Sequence, residues 1–270
     1  MILSSASSGF AGAWAVAAAA VAAYVVAAFR GAAQVRGLSA ALVIGIVLHA
    51  LLLLLDIGGV GNGLGVARMG FGPVVSLTVW LVLAVHAVES RLVPQPGVRR
   101  VLALLGAAAV LLAWALPGEP HALAGSPLAP LHWVLGVGAY GLFGAAVLHG
   151  AMLDAAETRL RHHTGAPGTL GMPLLQLERL TFRFVQLGFA VLSAALVLGV
   201  LTGPQWRWTH KNVFSLLGWA VIAALLVGRK LYGWRGRRAT RWLYAGALLL
   251  LLAYAGSRFV MQFVLGRPVD

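Results

Sequence analysis

The sequence predicts an all-α protein: a polytopic integral membrane helical bundle of about eight transmembrane helices, with both termini on the outer side of the membrane. Three observations lead there. Of 270 residues, 60% are hydrophobic and only 10% charged, where a soluble domain carries about 25% charged residues. Apolar runs close to the ~20 residues that cross a bilayer recur along the whole chain. Lys and Arg alternate in density from loop to loop, as positive charge does when it is retained on the inner side.

The spans fall at residues 10–29, 38–56, 71–90, 99–116, 130–153, 182–203, 213–228 and 240–262. The first, within SSASSGFAGAWAVAAAAVAAYVVAAFR, has no basic residue before it and basic residues after it, so it reads as a transmembrane helix rather than a cleaved signal peptide. Span five, LHWVLGVGAYGLFGAAVLHGAML, is rich in small residues. Gly136, Gly138, Gly141, Gly144 and Ala145 either let a neighbouring helix approach closely or leave room for a flat ligand. Before span six, Glu178, Arg179 and Arg183 among leucines suggest an interfacial helix that turns into the span. Loops are short except for 154–181, and residues 1–270 form a single transmembrane domain.

Charge gives the orientation. The loops after spans one, three, five and seven hold Arg30 and Arg36, then Arg91, Arg99 and Arg100, then Arg159, Arg161, Arg179 and Arg183, and finally Arg229, Lys230, Arg235, Arg237, Arg238 and Arg241. The opposite side holds Arg68, Arg207, Lys211, Arg258 and Arg267. The first set therefore faces the cytoplasm. The net charge of +13 sets topology and meets anionic headgroups of the lipid bilayer; no soluble basic face exists for nucleic acid. With no cysteine, the chain has no disulfide, thiolate metal site or C-x-x-C-H haem attachment.

Histidines carry the remaining chemistry. His49, in span two, sits at or just beyond the midplane with Asp56 seven residues later on nearly the same face. It is either a neutral core histidine hydrogen-bonded to a neighbouring helix or a ligand or proton relay. His86, with Glu89 and Ser90 one turn below, and His149 lie near inner span ends, where solvation alone can satisfy them. His162 and His163 sit in the polar part of a loop. His132 opens span five beside Trp133, and His210 opens span seven after Trp206 and Trp208. Topology alone brings these last two histidines to one outer level. Neutral imidazoles are good axial ligands for haem iron, although Trp is enriched at every membrane interface. No P-loop, H-E-x-x-H, G-x-S-x-G or Rossmann fingerprint is present, and the chain does not read as an enzyme.

LERLTFRFVQLGFAVLSAALVLG, WRWTHKNVFSLLGW, GWRGRRA and YAGSRFV, in that order, resemble the C-terminal half of the cytochrome c assembly membrane proteins, the CcsA, CcmC and HemX group. VLHALLL in span two and LHW at span five make the chain most similar to the eight-span YpjD-like and HemX-like branch. The resemblance implies a multi-pass protein of the bacterial cytoplasmic (inner) membrane with periplasmic termini. It also implies a haem-binding or haem-handling role beside other cytochrome assembly or haem-pathway proteins, with haem b held non-covalently. His132 falls where CcsA has its first outer-face histidine. Trp206, Trp208 and Lys211 fall on a reduced WWD-like segment, in which Thr209 and His210 replace its Asp and Pro. Gly228 stands where CcsA has a histidine near the inner end of the next helix, and the last outer-face histidine of CcsA has no counterpart. The expected haem ligands are His132, on the family position, and His210, on the level that topology gives it, flanked by Trp133, Trp206 and Trp208, with His49 as the competing ligand. A membrane transporter or transport regulator for a metal ion or small molecule, lined by His49, Asp56 and His86, is the alternative.

Overall fold

A computed structural model of the chain describes residues 3–29, 39–56, 66–90, 96–117, 119–122, 128–162, 173–202 and 208–253. Eight helices run in the order α1 (Leu3–Phe29), α2 (Ala40–Asp56), α3 (Phe71–Glu89), α4 (Pro96–Ala115), α5 (Ala129–Arg161), α6 (Leu174–Thr202), α7 (His210–Tyr232) and α8 (Gly236–Leu251). Each falls on one expected span, although residues 254–262 of the eighth span lie outside the described residues. Five are long and apolar enough to cross a membrane over their described lengths, and two shorter apolar helices lie at Ala13–Phe29 and Ala40–Asp56.

Two compact units divide the chain, Met1–Leu123 and Ala124–Asp270. In the first, α1 packs on α2 and α4, and α3 packs on α4 and α2. Its core is built on Tyr24, Leu42, Leu83, Leu102 and Val110. In the second, α5 packs on α6 and α8, and α7 packs on α8 and α6. Phe143, Phe182, Val185, Leu192, Ile222, Leu225, Leu243 and Leu250 fill that core. Large apolar side chains such as Val47, Leu54, Val134, Leu187 and Leu201 point outward, as they must where hydrocarbon is the solvent.

Local chemistry sets the helix ends. The Ser39 hydroxyl accepts the Leu42 N–H at 3.2 Å, and Thr209 caps α7 by accepting the Asn212 N–H at 3.4 Å, each satisfying an orphan donor. Gly233, at φ 63°, ends α7 in the left-handed conformation, which costs glycine little.

Two features depart from the sequence reading. No separate interfacial helix precedes span six: Leu174–Thr202 is one continuous helix of 29 residues. At 1.5 Å per residue that is ~43 Å, longer than the ~30 Å hydrocarbon core, so one helix is long enough to include both the span and the turns before it. The segments before α3 and after α4 also hold a two-stranded antiparallel ribbon, β1 (Val66–Met69) with β2 (Glu119–Ala122), in which Ala67 pairs with His121. Neither four-residue strand is long enough to show a period in sequence.

Candidate functional site

His132 lies on the first turn of α5, where its backbone N–H reaches Leu128 O at 3.0 Å. The ring is half-buried and turned toward α6, with Nδ1 3.0 Å from Ala195 O. A carbonyl can only accept, so Nδ1 carries the proton and donates. Nε2 then holds the lone pair, the tautomer a metal-ligating histidine needs. Gly199, one turn beyond Ala195, makes room for this seat, because a β-carbon there would lie 2.9 Å from His132 Cε1. On the histidine's own helix, a β-carbon at Gly136 would meet nothing within 4 Å, and one at Gly138 would meet only Val191 Cγ1 at 3.9 Å. Open space therefore lies on α5 one turn beyond His132. The donor chemistry fits an imidazole ligand to haem iron.

The other residues expected at this site are less engaged. His210 is exposed at the start of α7, Trp208 is 76% exposed, and Trp133 is half-buried. Among the described residues, no hydrogen bond or ring contact joins His210 to His132. Lys211, the neighbour of His210, does lie within electrostatic reach of His132, so the start of α7 and the start of α5 share one end of this unit. Trp206 lies outside the described residues.

His49 is placed quite differently. It is fully buried, with Nδ1 3.1 Å from the Tyr24 hydroxyl and Nε2 2.7 Å from Ser76 Oγ. Both hydroxyls can donate or accept, so either tautomer is satisfied. The Tyr24 ring fits because it crosses two glycines: β-carbons at Gly45 and Gly106 would approach it to 2.8 and 2.9 Å. The result is a polar link joining α1, α2 and α3 inside the apolar layer, where such bonds act as glue between helices. A metal could bind His49 only by displacing one of these partners. Sequence reasoning missed Tyr24 and Ser76; the available signal was the single tyrosine in the alanine-rich α1 run.

Comparison with known proteins decides the family. The family model described as "Cytochrome C assembly protein" matches residues 5–265. The chain belongs to the cytochrome c assembly protein family. Inner membrane protein YpjD of Escherichia coli K12 is 31% identical over 230 residues, covering 82% of this chain and 85% of YpjD. Cytochrome c biogenesis protein CcsA of Gloeobacter violaceus is 30% identical over 110 residues, 37% of this chain and 32% of CcsA. An uncharacterised 28.8 kDa protein of Azospirillum brasilense is 32% identical over 142 residues, half of each chain. No solved structure matches. With its apolar helices, this cytochrome c assembly protein is a multi-pass protein of the bacterial inner membrane.

The opposite end of the second unit gives physical reasons for the family-like string GWRGRR. The Trp234 indole lies on Gly228, where a β-carbon would enter the ring. That leaves no room at this position for the histidine of the CcsA pattern. Arg229 donates to Glu178 Oε1 at 2.8 Å and stacks over Phe182 at 3.6 Å. Arg237 donates to Thr158 Oγ1 at 2.8 Å. Asp154 accepts from Thr240 at 2.8 Å and Tyr244 at 2.7 Å. These contacts tie α5, α6, α7 and α8 together. His149, also buried on α5, holds Nδ1 2.7 Å from Ala145 O and lies against the Phe184 ring. His86 is buried on α3. His162 is exposed at the end of α5, and His163 lies outside the described residues.

Proposed function

We propose that this cytochrome c assembly family protein handles haem as a binding or delivery protein without turnover, holding haem b non-covalently at the outer end of α5. The observation that carries the proposal is the His132 hydrogen bond to Ala195 O, which leaves Nε2 as a lone-pair donor, with open space at Gly136 one turn along the same helix. When bound, haem would supply an iron with axial positions that accept imidazole nitrogen. The chain's own residues do the rest. Ala195 O keeps the Nδ1 proton in place, Gly199 admits the ring, and Gly136 and Gly138 leave space for an apolar macrocycle. His210 is the second ligand in this proposal, and its exposure leaves it able to swing or be exchanged when haem passes on. Trp133 and Trp208 flank the same end. With no cysteine in the chain, no thiol is present to add to a haem vinyl group, so retention here is non-covalent.

The test is the visible absorption of the full-length protein purified in detergent from haem-replete cells, with haem quantified per folded protein. Wild type is expected to show a Soret band and His132→Ala to lose most of it. His210→Ala is expected to change spin state rather than occupancy. A Soret band that survives loss of both histidines and disappears with His49→Ala would move the site into the first unit.

A further inference from the structure

The turn between α7 and α8 carries more cations than the fold consumes. Glu178 is taken up by Arg229, with Arg235 Nε 3.9 Å away. Asp154 is occupied by two hydroxyls, and Glu157 lies beside the Gly236 backbone. The carboxylates at this end are thus spent on interior contacts, while Arg238 and Arg241 stay exposed. The first turn of α8 has no acidic residue of its own, and Arg238 lies in that turn.

Aromatic rings give this charge a defined shape. The Arg238 guanidinium lies 4.4 Å over the Trp234 ring, and Trp234 meets Trp242 at 5.2 Å. Arg238, Arg241 and Trp242 are three and four residues apart on α8, hence on one face. Trp234 itself is held against Gly228. A guanidinium oriented on a ring presents a fixed fork for phosphate oxygens, and indoles favour the depth where headgroups meet acyl chains.

We infer that Arg238 and Arg241, on the ledge of Trp234 and Trp242, form a binding site for the phosphate of one anionic phospholipid headgroup. The position at the end of the α7 span puts the site at headgroup level, and the surplus of cations over carboxylates supplies the complementarity. The inference is independent of haem binding.

Native mass spectrometry of the full-length protein, delipidated in detergent and titrated with phosphatidylglycerol or phosphatidylcholine, tests it. Wild type is expected to take up one phosphatidylglycerol at low lipid and to show no matching step with phosphatidylcholine. Arg238→Gln/Arg241→Gln should weaken that first step at least tenfold. Arg159→Gln/Arg161→Gln removes the same charge from exposed positions at the same end of the unit and should leave the step intact. Arg238→Lys, which keeps the charge and fold but loses the planar fork, should weaken it severalfold. Equal loss in both double variants, or uptake of phosphatidylcholine as readily as phosphatidylglycerol, overturns the inference. So does a first step unchanged in Arg238→Lys, should the double variant not fold.

Discussion

Gly199 concentrates the site's chemistry into one hydrogen atom. A methyl group there would fall 2.9 Å from His132 Cε1, so the imidazole must tilt and its bond to Ala195 O must lengthen. Gly199→Ala is expected to keep the protein folded while broadening or shifting the haem spectrum, which absorption and electron paramagnetic resonance would read; an unchanged spectrum would mean that the bond does not orient the ligand. His49 should behave in the opposite way. Its loss leaves the Tyr24 and Ser76 hydroxyls without their shared partner and a gap between three helices. Interhelical hydrogen bonds in membranes average about 0.6 kcal/mol, and with the gap the cost of His49→Ala should be about 2 kcal/mol. The check is a lower melting temperature in detergent with haem per folded protein unchanged. The histidines themselves were legible in the sequence, being rare polar groups in apolar spans. Their partners were not, because a backbone carbonyl 63 residues away and a hydroxyl 27 residues away leave no periodic trace.

At the scale of elements, helix number and type followed from apolar run length alone. The α7–α8 corner shows where that reading stops. Its cations read as a device for orientation and headgroups, yet Arg229 and Arg237 are committed to Glu178 and Thr158. Two glycines in the corner separate backbone strain from electrostatics. Gly233 and Gly236 both have positive φ, 63° and 54°, so alanine at either costs about 1–2 kcal/mol. At Gly233 a β-carbon meets nothing, whereas at Gly236 it would come 2.8 Å from Glu157 Oε1. That carboxylate tip can swing away, but it then leaves the start of α8, worth about 0.5 kcal/mol more. Gly236→Ala should therefore melt below Gly233→Ala at low salt, with the gap closing at high salt as the charge is screened. A gap indifferent to salt would assign the extra cost to packing.

For the whole molecule, the number of spans and the side each loop faces are one linked question. Helices α1 to α8 fall on the eight expected spans in order, the last over its first half, and an even number puts both termini on one side. Which side follows from charge: fifteen of the 20 Lys and Arg lie in the loops after spans one, three, five and seven, and basic residues near span ends are retained in the cytoplasm. The expected orientation places the α7–α8 corner inside and the starts of α5 and α7, with His132 and His210, outside. Dual reporter fusions give the measurement. A fusion after Arg241 should be active as a cytoplasmic reporter, and fusions after Leu128 and Asp270 as periplasmic ones. Reversing the bias should reverse the outcome only in part, because five spans are long and strongly apolar and insert in either direction. Replacing Arg235, Arg237 and Arg238 together by Gln should thus lower abundance and yield a mixed population rather than a clean inversion. A cytoplasmic signal from the Asp270 fusion in the unaltered protein would put His132 on the cytoplasmic side, and delivery of haem to the periplasm could not then start from that residue.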